Sequence, residues 1–136
     1  MKVNGIPMDK LGVRGKRVLV IDDDRAIVDM MVDILKRDGR FQVRCGSSGF
    51  EAGLLARDFL PDIILLDFML PDINGTVVCR SVRESAHLKH TKIIMISGVA
   101  DPGEIRELKG AGADAFIKKP FDVGNVLNKI TELLNI

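Results

Sequence analysis

Pro61-Asp62-Ile63-Ile64-Leu65-Leu66-Asp67-Phe68-Met69-Leu70-Pro71-Asp72-Ile73-Asn74-Gly75 is the stretch whose reading decides the fold. Four aliphatic residues run without interruption into Asp67, and a loop rich in turn formers follows: Pro71, Asp72, Asn74 and Gly75. The run is too short for an ordinary globular helix and is bounded by prolines, so it reads as a strand buried on both faces, as at the centre of a parallel sheet. A carboxylate at the carboxyl end of such a strand stands where open α/β sheets bind ligands. Asp67 is therefore the first candidate functional residue.

Working outward, the same pattern recurs. Arg17-Val18-Leu19-Val20-Ile21 is a β-branched run stopped by Asp22-Asp23-Asp24, and Ile27, Met30, Met31, Ile34 and Leu35 then recur at helical steps until Gly39. Phe41-Gln42-Val43-Arg44-Cys45 alternates and predicts a strand near an edge. Ser48 with Glu51 fits a capping box opening a helix to about Asp58, with Phe50, Leu54 and Leu55 expected inward. Beyond the central stretch, Val77, Val78, Cys79 and Val82 mark a helix to about Ser85, and Lys92-Ile93-Ile94-Met95-Ile96 is a strand ending in Ser97-Gly98. Asp101-Pro102-Gly103-Glu104 starts a helix with few large apolar residues, so it is expected to be weakly anchored. Ala115-Phe116-Ile117 is a last short strand before Lys118-Lys119-Pro120, and Asp122 caps a final helix burying Val126, Leu127, Ile130, Leu133 and Leu134. Five strand–helix units predict an α/β fold, a single parallel sheet covered on both faces.

At 136 residues the chain suits one domain, with residues 1–15 read as an arm or linker carrying a short helical turn near Met8 to Leu11. A net charge of +1 offers no electrostatic footprint for nucleic acid or an anionic membrane. No apolar stretch reaches a membrane-spanning length, and the first residues lack the apolar core of a secretion signal, so a cytoplasmic protein is expected. Cys45 and Cys79 have no metal-type spacing and read as buried thiols in a reducing compartment. His87 and His90 have no ligand partner nearby in sequence and read as surface residues.

In a parallel sheet the ends of the strands share one edge, which would gather Asp22, Asp23, Asp67, Ser97 and Lys119. Taken singly, each has an ordinary reading: a helix cap, a turn, an exposed lysine before proline. Together they supply different parts of one inventory. Crowded carboxylates repel and call for a cation. All-oxygen ligation suits Mg²⁺, and the lysine and hydroxyl suit phosphoryl oxygens.

These residues, at these separations, resemble the receiver domain of two-component response regulators over about residues 16–136. The matching pieces are Val18 to Asp24, Asp62 to Asp67 with Met69-Leu70-Pro71 and Gly75, Ile94 to Gly98, and Gly112-Ala113-Asp114 through Phe116 to Lys119-Pro120-Phe121. The resemblance implies a flavodoxin-like, doubly wound, five-stranded sheet of order 2-1-3-4-5 with five helices. It implies that Asp67 accepts a phosphoryl group from a phosphohistidine of a sensor histidine kinase or phosphotransfer protein. Asp22, Asp23, Asp67 and the backbone carbonyl of Met69 would hold Mg²⁺. Lys119, the Ser97 hydroxyl and the Gly98 amide would take phosphoryl oxygens, and Lys119-Pro120 would be a cis peptide. Ser97 and Phe116 would switch the face of the fourth helix, fifth strand and fifth helix. The resulting expectation is a signalling switch that catalyses its own phosphorylation and dephosphorylation. It would act on a downstream partner or output domain, with phosphorylation-linked homodimerisation one option, and neither nucleic acid nor membrane bound by this domain. A stand-alone receiver and a piece of a longer chain both remain open.

Three competing readings fit the sequence less well. A Mg²⁺-dependent phosphohydrolase of the haloacid dehalogenase type would carry an acid two residues after the nucleophile, where this chain has Met69. A nucleotide binder lacks both glycine-rich phosphate motifs. A degenerate receiver conflicts with the intact acidic and basic positions.

Overall fold

The computed structural model describes residues 15–98 and 101–136, together with the backbone of Lys2–Val3 and Ile6–Pro7. The latter two pairs form a short antiparallel ladder. The helical turn expected near Met8 to Leu11 lies outside the described residues.

The core elements are β1 (Lys16–Ile21), α1 (Arg25–Asp38), β2 (Phe41–Gly46), α2 (Gly49–Phe59), β3 (Ile63–Asp67), α3 (Gly75–Glu84), β4 (Lys92–Ser97), α4 (Pro102–Gly110), β5 (Ala115–Lys118) and α5 (Val123–Leu134). All pairings among these five strands are parallel and the sheet order is β2-β1-β3-β4-β5, the 2-1-3-4-5 order of a flavodoxin-like sheet. Every residue of β3 is buried, as its unbroken apolar run requires. Its side chains alternate between two cores. Ile64 and Leu66 join Leu19, Ile21, Ile93 and Met95 beneath α2, α3 and α4. Ile63 and Leu65 join Val18, Val20, Ile94 and Ile96 beneath α1 and α5. Burying a side chain of this size contributes roughly 1.5–3 kcal/mol, so these two layers dominate the fold's stability.

Local chemistry sets the boundaries. Asp24, Ser48, Asn74, Asp101 and Asp122 each accept a backbone N–H in the first turn of the helix that follows. Gly39 ends α1 in the left-handed conformation, at φ 84°. In α4 only Leu108 is buried, so that helix is held by little apolar area, in line with its composition.

Three expectations about side chains need correction. Phe50 and Leu54 are not inward; they are 68% and 57% exposed. The helix instead turns Ala52, Ala56 and Phe59 to the sheet, a four- and three-residue stripe whose alanines allow close approach. Val77 is likewise exposed, while Val78, Cys79 and Val82 form the inner face of α3. Cys79 is buried, its thiol directed at the Ala111 carbonyl at 3.4 Å, and burial raises its pKa. Cys45 is exposed, as is its neighbour Arg44 from the opposite face, because β2 is the edge strand of the sheet.

Arg83 ties the end of α3 to the amino-terminal edge of the sheet and to the turn after α4. It donates to the Gly112 carbonyl at 2.8 Å, the Thr91 carbonyl at 2.6 Å and the Asp114 carboxylate at 2.6 Å. Asp114 in turn accepts the Ile93 N–H at 2.8 Å. Charge-assisted bonds of a half-buried arginine predict that Arg83→Ala lowers unfolding free energy by about 2 kcal/mol in urea titration. A loss below roughly 0.5 kcal/mol would show that water replaces the clamp at little cost.

Candidate functional site

The strand register sets the site's geometry. Ile21 pairs with Leu66, and Asp67 with Ile96, so the ends of β1, β3 and β4 are level. The aspartate triplet after β1 then divides its work. Asp22 is buried; its N–H donates to the Gly46 carbonyl at 3.2 Å, and its carboxylate accepts the Asp24 N–H at 2.9 Å. Asp24 caps α1 by accepting the N–H groups of Ala26 and Ile27. Asp23, between them, is exposed, and one carboxylate oxygen from each of Asp22, Asp23 and Asp67 lies within 4.8 Å of the others.

Lys119 follows β5 at a cis peptide bond to Pro120. Its N–H donates to the Ser97 carbonyl at 2.7 Å, which fixes the lysine's backbone against the end of β4. From there Nζ reaches Asp22 Oδ2 at 3.0 Å and Asp67 Oδ1 at 3.3 Å. One ammonium thus sits between two buried acids. Burial pushes the Asp67 acid up to about 6, and the nearby Asp22 charge pushes the same way. Lys119 and the Met69 N–H, which donates to the Asp67 carboxylate, only partly offset this. Burial also works against the Lys119 charge, but its bond to Asp22 and the charges of Asp67 and Asp22 prevail and hold its pKa above the usual lysine value. Two buried carboxylates and one exposed one, answered by a single ammonium, form an all-oxygen set that could hold a divalent cation.

Other residues of the expected set lie around this centre. Ser97 is buried at the end of β4, between the strands that carry Asp67 and Lys119, and exposed Gly98 follows it. The Met69 side chain is exposed, and its backbone bridges to Asn74 across the loop. Phe116 is half-buried against the core beneath α2, α3 and α4.

Three residues that the sequence marked only as turn formers, Gly75 also as a matching position, shape the loop beside the site. Gly75 lies so close to the loop that a Cβ there would stand 2.8 Å from the Asp67 carbonyl oxygen and 2.7 Å from Met95 Cε, so a side chain would displace the acid's own strand end. Asn74 caps α3 through the Thr76 N–H at 2.7 Å. Asp72 reaches the other way and accepts the N–H groups of Gly49 and Phe50 at 2.8 and 2.9 Å, bonds that lower its pKa. The available signal was an Asp and an Asn in the turn before a helix; only the Asn could be matched to its helix, because Asp72 acts on one that lies earlier in the chain.

The raised acid at Asp67 has a consequence for stability. A native-state value of about 6 against an ordinary 3.8 means that the folded chain binds more protons between those values, so stability falls as pH rises through that window. Asparagine at 67 stays neutral throughout. In buffer free of divalent cations, Asp67→Asn is expected to be more stable than the parent by about 1–2 kcal/mol at neutral pH. The gap should close as pH falls from 6 toward 4, in urea titrations at several pH values. A gap that widens on acidification would contradict the account.

Comparisons with known proteins agree with this geometry. Residues 18–131 match the response regulator receiver domain family model. The chain is 35% identical over 121 residues to the DNA-binding dual master transcriptional regulator RpaA of Synechocystis, covering 87% of this chain and 48% of that protein. It thus spans about half of that relative's length. It is 29% identical over 119 residues to the polar-differentiation response regulator DivK of Brucella ovis, covering 88% of this chain and 96% of DivK. The crystal structure of a CheY-like receiver domain protein from Methanospirillum hungatei superposes with a TM-score of 0.84 at 32% identity, covering 89% of this chain and 94% of that one. With its sheet order, its acidic edge and a family match across most of its length, this chain belongs to the response regulator receiver domain family of two-component signalling.

Proposed function

We propose that Asp67 is the phosphoacceptor of a Mg²⁺-dependent switch, and that residues 16–136 form the domain that carries it, with residues 1–15 an arm outside it. The single observation that carries this reading is the Lys119 ammonium held between the carboxylates of Asp22 and Asp67. In the step proposed, an Asp67 carboxylate oxygen attacks the phosphorus of a phosphohistidine on a sensor kinase or phosphotransfer protein. An O–P bond forms and the N–P bond breaks. The histidine ring leaves with the N–P electron pair: it departs as neutral imidazole where its other nitrogen already carries a proton, and otherwise takes a proton from water.

Each side chain has a part. Lys119 contacts the Asp67 carboxylate and would pair with a phosphoryl oxygen. The Ser97 hydroxyl and Gly98 amide would take another. Asp22, Asp23, Asp67 and the Met69 carbonyl would hold Mg²⁺, which when bound neutralises charge on the phosphoryl oxygens. With the metal bound, the carboxylate form of Asp67 would be favoured, countering the rise that burial and Asp22 impose. The same residues would catalyse both gain and loss of the phosphoryl group.

The phosphorylated state would be read on the face of α4, β5 and α5. New phosphoryl contacts would draw Ser97 toward the group and let Phe116 repack. The equilibrium shifts only by the difference in contacts between the two packings. A helix α4 with a single buried residue has little packing to break. That face would be offered to a downstream partner, an output domain or a second copy, inside the cytoplasm. A phosphohydrolase reading is less favoured, because Met69 sits where a general acid would stand and its side chain is exposed and apolar.

Acetyl phosphate with Mg²⁺ should add one phosphoryl mass to the intact chain, and Asp67→Asn should abolish the adduct. Replacing Lys119 with alanine should reduce the adduct's yield by at least about tenfold. An adduct of equal yield in Asp67→Asn, or none under any Mg²⁺ condition, would overturn the reading. Steady turnover of small phosphate esters would favour a hydrolase.

A further inference from the structure

The loop between β3 and α3 carries a backbone unit that the acidic site uses twice. Met69, two residues after Asp67, donates its N–H to the Asp67 carboxylate. Its carbonyl is the one proposed above as a Mg²⁺ ligand. The base of the loop is closed by the Gly75 N–H, which donates to the Phe68 carbonyl at 2.8 Å, and by the bridge between Met69 and Asn74. Leu70 packs against the core beneath α2, α3 and α4. Beyond it Pro71, Asp72 and Ile73 stand exposed at the tip.

Asp72 holds that tip. Its carboxylate accepts the Gly49 N–H at 2.8 Å and the Phe50 N–H at 2.9 Å. Among the described residues these are the only hydrogen bonds that join residues 70–73 to another element. Ile73 lies directly over Gly49, where a Cβ would run into Ile73 Cγ1 and Cδ1, so the glycine is what lets the loop seat on the helix. The helix itself gains little. Ser48 already caps α2 by accepting the Glu51 N–H at 3.1 Å, and water can serve the two exposed amides that Ser48 leaves over. The loop gains more: Pro71, with φ fixed by its ring, links Asp72 stiffly to Leu70 and so to the Met69 carbonyl.

We propose that Asp72 is a positioning residue for the acidic site: its two bonds to α2 hold the loop so that the Met69 backbone meets both Asp67 and a bound Mg²⁺. The inference rests on the Mg²⁺-dependent reading of that site. It makes the first turn of α2, which contributes no ligand of its own, part of what sets the affinity for the cation.

The test is a Mg²⁺ titration of the full chain without phosphodonor, followed through the amide resonances of residues 22–24 and 67–70. Asp72→Ala should raise the Kd for Mg²⁺ about tenfold, as expected for a residue that orients a metal ligand. Asp72→Asn, which keeps an acceptor oxygen, should lose less. Gly49→Ala, which pushes Ile73 off α2, should weaken Mg²⁺ in the same sense, and the double variant should fall short of the product of the two losses. Ser48→Ala removes a bond from the same turn of α2 without touching the loop, and should leave the Kd within about twofold of the parent's. With acetyl phosphate, the adduct yield of Asp72→Ala should recover as Mg²⁺ is raised to saturation, a pattern that loss of fold would not give. Equal Mg²⁺ affinity in the parent and Asp72→Ala, or an equal loss in Ser48→Ala, would overturn this inference and leave the phosphoacceptor reading standing. No Mg²⁺ binding by the parent would overturn both.

Discussion

One ammonium shared by two buried carboxylates is the interaction on which the rest of this structure depends. Asp22 and Asp67 are almost fully buried at adjacent strand ends, and each opposes the other's charge. Lys119 makes the arrangement tenable by contacting both. It can do so because its backbone is bonded to Ser97 at the neighbouring strand end. Remove the sheet register and the three groups have no reason to meet, since they come from positions 22, 67 and 119 of the chain. The hydrophobic layers on either face of β3 therefore serve the chemistry directly: they hold strand ends level, and the strand ends hold charges that would otherwise separate.

The same arrangement leaves an imbalance. One exposed and two buried acids face one lysine, and Asp67 answers with an acid strength weakened toward neutrality. A site built this way is destabilised when empty of further positive charge. That strain suits the cation-binding role proposed for the site, because a bound divalent cation would relieve a repulsion already present in the native state.

Much of this was legible in the sequence, for physical reasons that differ from element to element. The unbroken Ile63 to Leu66 run could only be a strand covered on both faces, and it is. Gly39 and the capping residues Ser48, Asp101 and Asp122 act where they were expected, because caps are decided within a few residues. The inward face of α2 was misread because size was taken as the guide, whereas Ala52 and Ala56 pack closest to the sheet. Cys45 was misread as buried because its burial depends on which strand forms the edge of the sheet. Asp72 was out of reach for a related reason: its carboxylate serves the first turn of α2, more than 20 residues earlier, a contact that only the folded chain creates. Local rules named the acids and the lysine; their mutual distances came from tertiary packing.

The measurement that bears most directly on the central claim is chemical trapping of the modified residue. After treatment with acetyl phosphate and Mg²⁺, borohydride reduction converts an aspartyl phosphate to homoserine, and peptide mass spectrometry locates it. The account predicts homoserine at position 67 alone. Homoserine at Asp22 or Asp23, or a borohydride-resistant phosphoryl group on His87 or His90, would contradict it.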